Sequence, residues 1–323
     1  MDKLKKIGLT ALGTALVCSG AQAADMAVAG GAKLTYTGGD KDTNGNGFTM
    51  LDSITFRASA DMDNGWTVST AQNLGRGAIN NSNMKINMGD MGTLEFHTNG
   101  GNSVPGSWDD MMPAANEETW HGGGSGASGV LIAAGANSDM FRYSIEIMDG
   151  LSLLASYSPS DGAAAVEGSS SYGAQYTGID GLEIGVAQGE NEEQVAVTNG
   201  NQTDSAAGAG IENTVMYAKY TFDSFTIGVQ ENSSDSDTAS ADTDFQAFGI
   251  SYAVSEDLSV SYGMSTNDIE GGSEDQEHSA IGVSFTSGSM TISGSHHKHE
   301  NLGGSAATTA DNDAYEVNLA FAF

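Results

Sequence analysis

Between Tyr315 and Phe323 every odd position carries a large apolar side chain (Tyr315, Val317, Leu319, Phe321, Phe323). The even positions Glu316, Asn318, Ala320 and Ala322 are polar or small. A period of two is the signature of a β-strand with one oily face. Left open in water, such an edge would pair with any other exposed strand. It therefore needs a partner for its backbone and a cover for its side chains. A closed barrel supplies the partner by bonding the last strand to the first, and lipid supplies the cover.

The other end of the chain fits an exported protein. Lys3, Lys5 and Lys6 precede an apolar stretch from Ile7 to Val17 and then Ala21-Gln22-Ala23, a small-x-small cleavage pattern. Residues 1–23 thus read as a cleaved signal peptide, too short to span a bilayer as a helix. Cys18, the only cysteine, lies inside it. Val17 is bulkier than the residue that usually precedes a lipid-attachment cysteine, so that use of Cys18 is the weaker reading. The mature part, residues 24–323, has no disulfide framework.

The whole chain has a formal net charge of −31, and removing the leader with its three Lys and one Asp brings it to −33. An acidic excess of this size argues against a nucleic-acid role, which needs clustered Lys and Arg. No later apolar run is long enough for a membrane-spanning helix. The 44 Gly, with abundant Ser, Thr and Asn, suit strands with small inward residues and also suit disorder, so periodicity has to decide.

Periodicity favours strands throughout. Alternation recurs at Ala32 to Tyr36, Phe48 to Ala58, Trp66 to Thr70, Met84 to Met88 and Leu94 to Phe96. It continues at Phe141 to Ile147, Leu151 to Tyr157, Tyr172 to Tyr176, Leu182 to Val186, Ala218 to Phe222 and Phe225 to Val229. Phe248 to Val254, Leu258 to Met264, Ile281 to Phe285, Met290 to Ile292 and the terminal segment bring the total to about sixteen. Asp63-Asn64-Gly65, Asp149-Gly150 and Asp180-Gly181 read as tight hairpin turns. These turns alternate with long polar connections at about 38–47, 75–81, 99–138, 158–170, 189–213, 232–244, 265–277 and 298–312. Trp66, Phe96, Tyr176, Phe222, Phe225, Phe285, Phe321 and Phe323 collect beside the short turns, as an interfacial aromatic girdle would.

The leader, the alternating strands, the short turns opposite long loops and the closing strand ending in Phe323 together resemble the Gram-negative outer-membrane porins of the general diffusion kind, in their alphaproteobacterial form. The resemblance covers the mature chain as a pattern. It implies an all-β, transmembrane, antiparallel up-and-down barrel of about sixteen strands, usually a homotrimer, passing small hydrophilic solutes across the outer membrane. It also implies contact with lipid and lipopolysaccharide, and recognition of Phe323 by the barrel-assembly machinery. In that family the third outer loop folds into the lumen, and segment 99–138 is the third long loop here. The Pro-Glu-Phe-Gly-Gly-Asp loop motif of enterobacterial members has no counterpart, only Pro105-Gly106-Ser107-Trp108-Asp109-Asp110.

On that reading Trp108, Met111, Met112 and Trp120 pack the loop on the inner wall, and Asp109, Asp110, Glu117 and Glu118 face the pore as its constriction. Lys33, Arg57, Lys85 and Arg142 fall on the polar parity of their strands, as do Lys219, Glu95 and His97. Lys33, Arg57, Lys85 and Arg142 are the basic wall candidates, and Lys33, Arg57 and Lys85 would stand opposite the loop acids and set up a transverse field, since charge at close quarters is how pores choose ions. Inward position alone is what any barrel imposes on a cation. A loop that folds outward, with Gly122 to Gly129 as a flexible linker, remains the alternative.

Two metal-like signals are weaker. Asp40, Asp42 and Asn44 match the start of a calcium loop, but Leu51 stands where the closing Glu belongs, and a plain polar loop is the simpler reading. His297 and His299 share a strand face without a clear third ligand for zinc or copper. Six His and many Ser form no recognisable hydrolytic constellation, so an enzyme is not expected. A substrate-specific channel, with Trp108 and Trp120 as a sugar track, and a secreted acidic β-sandwich adhesin are the rival readings.

Overall fold

The computed structural model describes residues 25–40, 46–121, 139–159, 168–198, 201–204, 209–236, 242–307 and 310–323. The expected signal peptide and the Gly122 to Gly129 stretch lie outside them. The strands in chain order are β1 (Asp25–Gly39), β2 (Phe48–Asp61), β3 (Thr67–Gly75), β4 (Ala78–Asn87), β5 (Thr93–Asn99) and β6 (Met140–Met148). Next come β7 (Leu151–Ser158), β8 (Ser169–Ile179), β9 (Leu182–Thr198), β10 (Asn201–Asp204), β11 (Ala209–Phe222) and β12 (Phe225–Ser236). The last five are β13 (Thr243–Ala253), β14 (Leu258–Ile269), β15 (Gln276–Ser287), β16 (Met290–Glu300) and β17 (Asn312–Ala322).

Sixteen of these form one antiparallel ring, with β9 paired to β8 on one side and β11 on the other; the short β10 pairs with the far end of β9. The ring closes where β17 meets β1, with Leu319 opposite Leu34. Gly30 N–H donates to Phe323 O at 2.6 Å and Phe323 N–H to Gly30 O at 2.9 Å, so the terminal residue itself is stitched into the seam. Closure removes the free edge that a sandwich would keep. Among the described residues no helix is long and apolar enough to cross a membrane.

The two faces of the wall sort as the alternation requires. Ile227, Ile250, Tyr262 and Ile281 sit opposite one another in neighbouring strands and form one row around the outside. Ile281 is 62% exposed, and Val28, Val229 and Val317 are likewise open. An apolar exterior on this scale is unfavourable in water and suits acyl chains. Tyr220, Phe222, Phe225 and Tyr252 stack in sequence at the short-turn end, with centroid separations of 5.8, 5.6 and 4.5 Å. Phe96 packs instead on Phe141, near the loop end of β6.

Several connections are shorter than the polarity of their residues suggests. The expected loop 75–81 is a two-residue turn at Arg76 and Gly77, both with positive φ (50° and 77°), the geometry that matches strand twist. The expected loop 189–213 is mostly ladder, because β9 runs to Thr198 and β11 begins at Ala209. Likewise β12 reaches Ser236 and β14 reaches Ile269. At this end strands are polar on both faces, so the hydrophobic alternation stops while the backbone hydrogen bonds continue. Asp40, Asp42 and Asn44 fall at the β1–β2 connection, and residues 41–45 are outside the described residues.

Candidate functional site

The described part of the third loop, residues 100–121, runs along the inside of the wall. A 3-10 turn at Pro105–Ser107 opens it, seated against β8, β9 and β11. From there the chain crosses β12 to β17, reaches Lys33 of β1 at Glu117 and turns back, so that Thr119 meets Ser265 of β14 and Trp120 meets Phe245 of β13. Each step is held by a donor or acceptor on the inward parity of a strand. Val104 N–H donates to Ser171 Oγ at 2.9 Å, and Met111 N–H to Gln230 Oε1 at 2.8 Å. Gln230 Nε2 donates to Trp108 O at 3.1 Å, and Asn232 Nδ2 to Asp109 O at 3.0 Å. Further on, Ala115 N–H reaches Ser261 Oγ at 2.8 Å, and Asn116 joins Ser293, Ser295 and Asn318. A loop laid inside a barrel would otherwise strand its peptide groups away from water, and this ladder of side-chain partners is the answer.

Packing does the rest. Val104 and Trp108 bury against Ala187, Val215 and Tyr217, flanked by Met111 and Leu154. Met112 and Trp120 bury against Phe245 and Ala247. The two indoles meet Tyr217 and Phe245 edge-on, with centroids 5.6 and 5.1 Å away. The wall residues in these clusters are apolar on the inward parity, the opposite of the rule that sorts the barrel elsewhere. They are legible only as a dock for the loop.

The loop comes close because the wall beneath it is small. Gly228, Gly249, Gly263 and Ala280 sit opposite one another across β12 to β15 and form a shallow track. A Cβ at Gly228 would stand 2.6 Å from Pro113 Cδ, and one at Gly263 2.6 Å from Thr119 Cγ2, both inside contact distance.

The expected site residues are distributed unevenly. Asp109 is buried, at 8% exposure, while Asp110 is exposed. Glu117 and Glu118 are half-buried. Burial pushes the Glu117 carboxyl up, but the hydrogen bond from Lys33 and the charges of His121 and Lys33 outweigh it and hold the group below the ordinary range. Glu118 goes the other way: burial raises it, and the charges of Asp110 and Glu117 add to the rise.

The wall cations do not form a free positive strip facing the loop. Lys33 Nζ lies 2.9 Å from Glu117 and 3.8 Å from Glu316, and Lys85 Nζ lies 2.8 Å from Glu95. Lys219 pairs with Glu183 at 3.3 Å, and Arg142 donates to the loop's Ser107 Oγ at 3.1 Å. Arg57 is exposed on the inward parity and has no ion pair among the described residues.

Histidines cluster where the loop ends. The third histidine missing from the strand pattern is His278 on β15, whose Nδ1 lies 2.7 Å from Nδ1 of His299 opposite it. His297 stacks on His299 and reaches Thr119 O. These rings point at one another and at the loop backbone. Among the described residues, Glu117, His121 and Glu316 each bring one ligand-type atom to within 4.8 Å of the others.

Comparison with known proteins fits this geometry. No curated protein sequence matches the chain. Among solved structures, the chain is similar to an outer membrane protein of Vibrio cholerae, OmpT (14% identity, TM-score 0.66, covering 94% of this chain and 98% of that one). It is similar to an anion-selective porin from Comamonas acidovorans (12% identity, TM-score 0.68, 93% and 100% covered). It is also similar to OmpF of Salmonella typhi in complex with daunomycin (14% identity, TM-score 0.69, 92% and 97% covered). The profile of the Gram-negative porins matches residues 8–286 and 196–323. A closed sixteen-stranded wall with a greasy exterior, and a sequence matched almost end to end by that profile, make this chain a member of the Gram-negative porin family, an outer-membrane porin.

Proposed function

We propose that the chain is a passive, water-filled channel for small hydrophilic solutes, biased toward cations. The observation that carries this reading is the pairing of the inner-wall lysines: Lys33, Lys85 and Lys219 each have a carboxylate within ion-pair distance, while Asp110 on the loop stays exposed. With the wall lysines offset and a net charge of −31 on the chain, which outweighs the inward Arg57 and Arg142, the lumen and mouth concentrate cations. The Comamonas porin is described as anion-selective, so the fold accommodates either sign and the bias rests on this chain's own charges.

Of the four loop acids, the exposed Asp110 is the one best placed to meet a passing ion, with Glu117 and Glu118 beside it; the burial of Asp109 favours a structural part. The substrate-specific alternative would use Trp108 and Trp120 as a sugar track, but both are only 5% exposed and committed to Tyr217 and Phe245. We extend the reading to a homotrimer, since one solved form of the Vibrio protein is a trimer. Lipid and lipopolysaccharide then meet the apolar exterior, and Phe323 is the residue offered to the assembly machinery. No catalytic role is assigned.

The test is the reversal potential of the purified channel in a planar bilayer under a KCl gradient. Cation preference is expected, and it should weaken about two-fold in Asp110→Asn, since removing one lumen charge acts at close range in a partly screened medium. A wild-type preference for chloride would overturn the electrostatic part.

A further inference from the structure

Where the described end of the loop meets the closing seam of the barrel, three side chains converge on one point. Glu117 and His121 come from the loop, a turn apart, and Glu316 comes from the inward face of β17. His121 Nε2 lies 3.8 Å from Glu117 Oε2 and 3.7 Å from Glu316 Oε2, and one ligand atom from each residue lies within 4.8 Å of the others. Those separations are too long for hydrogen bonds. They are the right size for donors around an ion, because three atoms so spaced share a point about 2.0–2.4 Å from each, close to zinc–nitrogen and zinc–oxygen bond lengths.

The far oxygens of the two carboxylates are already held. Glu117 Oε1 accepts from Lys33 Nζ at 2.9 Å, and Glu316 Oε1 accepts from Asn318 Nδ2 at 2.6 Å. Each carboxylate is thus oriented by a fixed donor on one oxygen and turned toward the imidazole with the other, as outer partners orient metal ligands. Two carboxylates against one Lys33 ammonium leave a net negative charge for a divalent ion to offset. His121 is 49% exposed, so the point is reachable from the lumen. The imidazole distinguishes the set from a patch of acids, since nitrogen donors favour zinc-like ions over magnesium or calcium.

We propose that Glu117, His121 and Glu316 form a binding site for a divalent transition-metal ion of the zinc class, tying the third loop to the wall at the barrel seam. The site stands independently of the ion preference proposed above, because binding is read without any current. Isothermal titration of the full detergent-folded barrel with Zn²⁺ should show one saturable site per chain, with no matching heat from Mg²⁺ at the same concentration. His121→Ala should weaken binding at least about ten-fold, and Glu316→Gln comparably, as loss of a ligand or its support does. His296→Ala, on the outward parity of β16, should leave it unchanged, and heat-modifiable migration shows that each variant is folded. Absence of saturable Zn²⁺ binding, binding untouched by His121→Ala in a folded barrel, or equal response to Mg²⁺ would overturn the site.

Discussion

The inner wall differs between the stretch that carries the loop and the stretch left bare. Under the loop, from β12 to β15, the inward row is Gly228, Gly249, Gly263 and Ala280, next to serines such as Ser261 and Ser265 that bond to loop atoms. On the bare side, from β2 to β5, the inward face includes Arg57, Lys85, Glu95 and His97, long or charged side chains that reach into the lumen, among smaller residues such as Thr55, Ala71 and Asn73. Both stretches obey the same period of two and are equally lipid-facing outside. The difference teaches that side-chain size on the polar parity decides where a loop can lie, because a docked backbone needs room and partners, while a bare wall needs solvated groups.

The largest expected effect comes from removing the anchor of the docked side. Trp108→Ala should destabilise the loop's seat by about 3–5 kcal/mol, the usual cost of deleting a buried aromatic. The measurement is the detergent-phase unfolding temperature together with protease cleavage near residue 108. An unchanged temperature and a protected loop would mean that the hydrogen bonds from Gln230 and Asn232 suffice alone.

A smaller and more discriminating effect should come from filling the track. Gly263→Val places a branched side chain against Thr119 and should cost about 1–3 kcal/mol, as overpacking does, with a rise in single-channel conductance as the loop lifts. Ala71→Val on the bare wall, opposite Arg57, should cost under about 0.5 kcal/mol and leave conductance alone. Equal responses at the two positions would erase the distinction between the stretches. Phe48 to Ala58 and Phe248 to Val254 were readable as strands from alternation alone, yet nothing in that pattern separated the bare wall from the docked one. Glycine on a polar parity looks the same whether water or a loop lies over it.

The smallest expected effect concerns Glu118. Its carboxyl is held above the ordinary glutamate value of 4.5 by burial, with Asp110 and Glu117 adding to the rise, so it takes up its proton while ordinary carboxylates are still charged. A group raised in this way is negative only above its shifted value and neutral below it. Cation preference should therefore begin to decline as pH falls toward 4.5 from above, and Glu118→Gln should remove that early part of the decline while leaving the later part. Reversal potentials measured across a pH series check it, and identical curves for the two proteins would remove Glu118 from the pore's charge.

By itself the sequence determined the barrel, the facing of side chains within its alternating segments and the identity of the acid-bearing third loop. Those features follow from period-two alternation, and alternation is local: each strand announces its own oily face. Only the tertiary structure decided that Asp109 is buried while Asp110 is not, that Lys33 pairs with the loop's Glu117 while Lys85 pairs with Glu95 on the neighbouring strand, and that the inward Val215, Tyr217 and Phe245 receive Trp108 and Trp120. It also decided that Glu316, one polar residue among many on the last strand, meets His121 from a loop about two hundred residues earlier. Such pairings depend on which strands become neighbours and on the room left between wall and loop. Neither is encoded within the span of a single hairpin.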